Sequence, residues 1–271
     1  MKILTLGDIF STPGVKILKS KLNEIIDNNK IDFVIANGEN AAENGLGINK
    51  DIANQLFSCG IDVITSGNHI WDNKEAVDYI STEPRLLRPQ NLPAGSPGNG
   101  YGIYTSKCKK FKIAVINLMG NVFMKKSEDV FNEAKNMQEK IKLKKDADFV
   151  IIDFHAETTS EKQAMGHFYD GKATALFGTH THVPTADTRV LENGTGYQTD
   201  IGMCGDYNSV IGMDKNNSLM KFLKDKTAGK NFPARGEATI SGLIIEGDFT
   251  TGLSKKVEQF FFWWYFKTVT W

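Results

Sequence analysis

Two histidines, His180 and His182, stand two residues apart in TALFGTHTHV, where an apolar run ends at a glycine. The chain of 271 residues holds only five histidines. Two more close similar runs: His69 in IDVITSGNH and His155 in DFVIIDFHAE. Carboxylates and carboxamides fall at matching places, with Asp8 after KILTLG, Glu39 and Asn40 in DFVIANGEN, and Asn68 just before His69. Imidazole, carboxylate and carboxamide are hard-to-borderline nitrogen and oxygen donors. With no thiolate among them they suit manganese, iron or zinc. A single carboxylate can serve two cations at once, and Glu39 is placed to do so. The alternation in THTH lets both imidazoles reach one cluster if the backbone bends there, and Gly178 supplies the small residue for close approach.

Each piece alone has an ordinary explanation. An Asp after TLG is commonly a turn or helix-cap residue, and NGEN and GNH are loop signals. A histidine at a strand end is more often a hydrogen-bonded structural residue than a ligand. The joint pattern is harder to dismiss, because four of the five histidines fall at such ends with carboxylates among them. The fifth, His167 in EKQAMGHFYDGKA, reads as a helix-end or turn residue at least as readily as a pocket-lining one. No GxxxxGK[ST] phosphate loop occurs.

The elements that must position these groups alternate. KILTLGD, DFVIANGEN and IDVITSGNH read as strands, separated by a helical stripe over VKILKSKLNEIIDNN and a capped helix over NKDIANQLFSCG. YGIYTS and FKIAVINLMG follow as β segments, then a charged helix over residues 127–145, then strands ending at His155 and His180. The last third reads as mainly β. Strands alternating with helices predict an α/β layered domain, with a second sheet packed on the first. No repeat or linker divides the chain, so residues 1–271 read as one domain. In open α/β sheets the carboxyl ends of the strands share one edge, where ligands bind. Asp8, Glu39, Asn40, Asn68, His69, His155, His180 and His182 would therefore converge.

Composition narrows the function. Lys+Arg and Asp+Glu both number 32, and a formal charge of zero argues against a stable nucleic-acid partner. Cys59, Cys108 and Cys204 form no CxxC pair and read as reduced thiols of a cytoplasmic protein. MKILTLGDIF lacks the features of a signal peptide, and no apolar run is long enough to span a membrane. The aromatic run FFFWWYF, Phe260 to Phe266, lies in a tail, residues 257–271, of unclear role. It reads as an edge strand or a segment packed on the domain or on a second subunit of a homo-oligomer.

The series GD, NGEN, GNHIWD, DFHAE and GTHTHV resembles the calcineurin-like metallophosphoesterases, and most closely their YmdB-like cyclic nucleotide phosphodiesterase branch. Two departures from the wider superfamily match that branch. Asp8-Ile9-Phe10 lacks the histidine of the usual D-x-H, and Glu39 stands where an Asp is usual. DIGMCGDYNSVIGM and GEATISGLIIE are also similar to it, so the resemblance runs from Met1 to about Ile245. It implies a four-layer sandwich of two mixed β-sheets flanked by helices. It implies two metal ions, iron or manganese first, zinc or magnesium as alternatives. Asp8, Glu39, Asn40 and His182 would hold one, and Glu39, Asn68, His155 and His180 the other. A hydroxide bridging the metals would attack phosphorus of a small cyclic nucleotide, 3′,5′ or 2′,3′, while His69 protonates the leaving ribose oxygen. Two rivals remain: a broader phosphatase or phosphodiesterase with the same site, and a metal-binding regulatory protein acting through partners. The regulatory protein would not need His69.

Overall fold

The computed structural model describes residues 1–262. The first part alternates as the apolar runs predict: β1 (Lys2–Leu6), the two-residue β2 (Asp8–Ile9), α1 (Ser11–Asn29), β3 (Phe33–Asn37), α2 (Lys50–Ser58), β4 (Val63–Thr65) and α3 (Lys74–Ile80). The middle runs β5 (Tyr101–Thr105), β6 (Lys112–Met119), α4 (Val130–Lys140), β7 (Phe149–His155), α5 (Thr159–Tyr169) and β8 (Ala175–Thr179). The rest comprises β9 (Arg189–Val190), β10 (Gly196–Gln198), β11 (Met203–Cys204), α6 (Lys215–Phe222), β12 (Ile240–Gly247) and β13 (Ser254–Phe262).

Two mixed sheets result. One has the order β13-β12-β1-β3-β4, with β1, β3 and β4 parallel and β12 antiparallel to β1 and to its hairpin partner β13. The other has the order β5-β6-β7-β8-β10-β9, with a parallel centre and antiparallel edges. Their strands are apolar on both faces because both faces are covered. Along β1, Ile3 joins the layer between the sheets, where it meets Phe33, Val115, Phe149, Ile151 and Phe177. Its neighbour Leu4 points the other way, into a layer with Leu18 and Leu22 of α1 and Leu56 of α2. Across the second sheet, Ile116, Ile152 and Phe154 pack on Val130 and Met137 of α4 and Met165 and Tyr169 of α5. Helices, sheet, sheet and helices make the four layers that the resemblance implies.

Several details differ from the sequence reading. Helix α4 spans only Val130–Lys140: the Asp129 side chain accepts from Asn132 N at its start, and Ile141 is already extended at its end. The last third is mainly β as expected, with β9 to β13, but α6 interrupts it between β11 and β12. Helix α6 escapes notice because it buries little; Leu219 and Phe222 are exposed. The beginning of the aromatic run is an edge strand as read: β13 pairs with β12 through Phe262, and Phe260 and Phe262 pack against the α1 layer. Trp263 to Trp271, with the rest of that run, lie outside the described residues. Among the described residues no helix is long and apolar enough to cross a membrane.

Candidate active site

The parallel strands β1, β3 and β4 of one sheet and β7 and β8 of the other end beside one another, and every expected site residue lies there. His155 is the last residue of β7 and is fully buried. Its Nε2 is 2.9 Å from Glu39 Oε1, 3.1 Å from Asn68 Oδ1 and 3.1 Å from His180 Nδ1. Nitrogen and oxygen atoms of Glu39, His155 and His180 all lie within 4.8 Å of one another. Glu39 follows β3 by two residues, where its backbone N–H donates to Asn37 Oδ1 at 3.1 Å. Its second oxygen, Oε2, accepts from the His69 backbone N–H at 2.9 Å.

A second group adjoins the first. His182 Nε2 is 3.3 Å from Asn40 Oδ1 and 3.9 Å from Asp8 Oδ1. Asn40 donates its amide to Gly45 O at 2.8 Å, which leaves its oxygen turned toward His182. His182 Nδ1 is 2.8 Å from Ile211 O; a carbonyl only accepts, so that nitrogen carries a proton and Nε2 is the nitrogen turned to the group. Asp8 is fully buried. Its Oδ2 accepts from His180 N at 3.0 Å, while its Oδ1 is buried without a hydrogen-bond partner. Asp8 Oδ1 is thus a buried acceptor without a partner, beside Asn40 Oδ1 and His182 Nε2. Buried acceptors are normally satisfied, and this set fits a cation.

The electrostatics follow from burial and from the pairing. Burial alone would lower the His155 pKa, but the Glu39 carboxylate, with Asp8 and Asp153 behind it, raises it to about 9. Burial would raise Glu39, yet His155 outweighs it and holds the carboxyl at about 2. Asp8 is raised, chiefly by burial. Burial and then the His155 charge push His180 down to about 3. Behind His155, its Nδ1 is 2.9 Å from Thr179 Oγ1, which donates to Asp153 Oδ1 at 2.7 Å. Asn37 Nδ2 and Thr65 Oγ1 donate to the other Asp153 oxygen. Such outer partners fix which ring nitrogen faces the cluster.

The backbone is bent to serve the site. His180 has φ 100° and His182 φ 64°, the left-handed region that non-glycine residues rarely adopt. Gly178 lets this segment approach as expected, since a Cβ there would collide with Thr199 O. Gly67 was not foreseen. A Cβ at that position would collide with the His155 ring and press on Glu39 Oε2.

His69 stands at the rim. Its Nδ1 is 2.6 Å from Asp72 Oδ2, and Lys125 Nζ donates to Asp72 Oδ1 at 3.2 Å and to Asn68 O at 2.6 Å. A cleft of about 350 Å³ opens over the groups, lined by Glu39, His69, His180 and His182 together with the apolar Leu46, Ile211 and Met213. A cleft of about 370 Å³ along α1 beside Arg235 contains none of them. Glu157, unassigned in the sequence reading, also lines the site, with Oε2 3.0 Å from His180 Nε2. Asp72 was likewise unassigned, although it lies inside GNHIWD. His167 lies on the exposed side of α5 and takes its ordinary reading.

The chain's relatives share this architecture. It is 42% identical over 259 residues to a 2′,3′-cyclic-nucleotide 2′-phosphodiesterase of Bacillus subtilis, covering 96% of each chain. A crystal structure of a hypothetical protein from Thermus thermophilus superimposes with a TM-score of 0.88 at 36% identity, covering 97% of this chain and 99% of that one. A structure described as a novel phosphatase from Mycoplasma pneumoniae gives a TM-score of 0.88 at 34% identity, covering 97% and 93%. The sequence profile of the YmdB-like proteins matches residues 4–260, so the likeness extends past Ile245 into β13 and further than the motifs alone indicate. With the metallophosphoesterase-type sandwich in place and the match spanning nearly all of its described residues, this chain belongs to the YmdB-like family.

Proposed function

We propose that this chain uses two metal ions to open the phosphodiester ring of 2′,3′-cyclic nucleotides. Its coarser character, a phosphoric-ester hydrolase, rests on the family and on the phosphodiesterase relative. The observation that carries the finer reading is the pair of adjoining donor groups with Glu39 beside both. One cation would take Asp8, Asn40, His182 and Glu39, and the other Asn68, His155, His180 and Glu39. A donor set of nitrogen and oxygen alone suits manganese, iron or zinc. When bound, the cations would supply Lewis-acid charge beside the phosphoryl oxygens and a more acidic water.

The chain's own groups account for the rest. The apolar lining by Leu46, Ile211 and Met213 suits the nucleoside part of a small ligand. As the water oxygen bonds to phosphorus and gives up a proton to solvent, the P–O2′ bond breaks, and the 2′-oxygen takes a proton from His69 Nε2, which solvent then restores. Asp72 orients the ring through Nδ1 and stabilises its protonated form. Transfer by such a positioned acid contributes typically about 10²–10⁴-fold. The product is the nucleoside 3′-phosphate.

The test is a substrate panel on protein purified without chelators and supplied with manganese: 2′,3′-cyclic AMP, 3′,5′-cyclic AMP and GMP, and an aryl phosphomonoester. The expected order places the 2′,3′-cyclic nucleotide first in kcat/KM, with two metals bound per chain. A higher kcat/KM for the monoester would replace this reading by that of a broad phosphatase. Full turnover by metal-free protein would end the two-metal reading.

A further inference from the structure

Lys162, on α5, is fully buried, and its ammonium donates to Asp200 Oδ2 at 2.7 Å. Asp200 is buried too. The same Oδ2 accepts from the Thr181 backbone N–H at 3.1 Å, and Oδ1 accepts from Gly202 N at 2.8 Å. Thr181 is the residue between His180 and His182, the two histidines held at φ 100° and 64°.

A buried ion pair is weak support for a fold. Desolvating both charges can cost more than their attraction returns, and well-packed apolar side chains often serve stability as well or better. What an apolar pair cannot do is accept from Thr181 N–H. A hydrogen bond to an ionised acceptor is about twice as strong as one to a neutral group, and the Lys162 ammonium stabilises that ionised form. The Thr181 N–H lies between the two strained residues, so an acceptor that fixes it bears on both. Backbone in such regions persists only where its surroundings over-determine it.

We propose that Lys162 and Asp200 are positioning residues for the active site. By pinning Thr181 they hold His180 and His182 in the left-handed backbone that points the two imidazoles at different donor groups. The inference rests on the two-metal reading of those groups, and its test keeps the two apart.

Manganese is titrated into wild-type protein, the Lys162→Met/Asp200→Leu double variant and the milder Asp200→Asn variant. Melting temperature without metal, the absorption spectrum with cobalt, and kcat and KM are recorded for each. Wild-type protein that takes up no metal would sink the two-metal reading itself. With wild-type loaded, the double variant is expected to fold, with a melting temperature lowered only by the Thr181 and Gly202 N–H groups that lose their acceptor. Its manganese affinity should fall about 10–100-fold, the range for lost outer-shell partners. Its cobalt spectrum should change, and kcat should fall with KM nearly constant. Asp200→Asn should show the same changes in weaker form. A folded double variant that binds manganese and turns over like wild type would overturn the proposal. Failure of both variants to fold would overturn it as well, because the pair would then serve the fold.

Discussion

The inner and outer ends of the cleft are built on different terms. At the inner end the side chains of Asp8, Glu39 and His155 are no more than 1% exposed. They come from three strand ends in two sheets, and a buried Asp153–Thr179 relay backs the central imidazole. At the outer end His69 and Asp72 are 26% and 31% exposed. They are neighbours on one short loop, and Lys125 reaches Asp72 from another. The difference follows from the task each end would have. Charge that must stay fixed is best held by strands whose positions are set by the whole core. A group that gives up a proton at each turnover must recover it, and partial exposure provides the route.

Breaking the inner end should have the largest effect. Glu39→Gln keeps the size but removes the anion that, in the proposed site, would lie between two cations and offset their repulsion. Both metals should be lost together and kcat/KM should fall by more than about 10³-fold, beyond the loss of a single oxyanion-stabilising donor. Asp8→Asn should mainly empty one position. Native two-metal affinity in Glu39→Gln, measured by titration, would show that the inner end does not depend on this carboxylate.

At the outer end, His69→Ala should leave metal content intact and lower kcat by about 10²–10⁴-fold for a ribose leaving group. For a p-nitrophenyl phosphodiester the loss should be much smaller, since that leaving group departs without a proton. Equal losses on both substrates would remove the acid role from His69.

Gly67 joins the two ends, and Gly67→Ala sharpens the comparison. The added methyl would press on His155 and Glu39 while leaving the His69 side chain in place. Metal affinity should drop about 10–100-fold, as for other disturbances just outside a ligand set. The dependence of kcat on the leaving group, at saturating metal, should stay as in wild type. A changed dependence would mean that the inner ligands also position the acid.

The inner end was legible in the sequence and the outer end only partly so. Asp8, Glu39, Asn40, Asn68, His69, His155, His180 and His182 could be picked out because each closes an apolar run, and parallel strands bring such ends to one edge. The layers were legible for a related reason: runs such as FVIIDF are apolar on both faces, which requires cover on both. What was missed depends on contacts between distant segments. Nothing local marks Lys162 as buried against Asp200, and nothing in SGNH tells that a methyl on Gly67 would strike His155, far along the chain. Helix α5 was missed because Gly166 and His167 break its pattern; the gap at Gly166 is filled by Tyr197 from β10. Glu157 and Asp72 sat inside quoted motifs without a role, because their partners are side chains whose directions only the fold supplies.

The smallest expected effect, and the finest test of the contrast, belongs to Asp72→Asn. The amide oxygen can still accept from His69 Nδ1–H, so the ring keeps its orientation. What is lost is the negative charge that stabilises the protonated imidazole. Because the pair is about a third exposed, water and salt screen that charge, and exposed pairs contribute little. The expected result is a loss in kcat of about 10-fold for 2′,3′-cyclic AMP, smaller than that of His69→Ala, with metal content unchanged. Since Asp72 would act only through His69, the double variant His69→Ala/Asp72→Asn should be no slower than His69→Ala alone, the non-additivity expected of residues that work as a unit. If Asp72→Asn were as damaging as His69→Ala, the outer end would depend on its second residue as strictly as the inner end does, and the contrast between a fixed interior and a forgiving rim would fail.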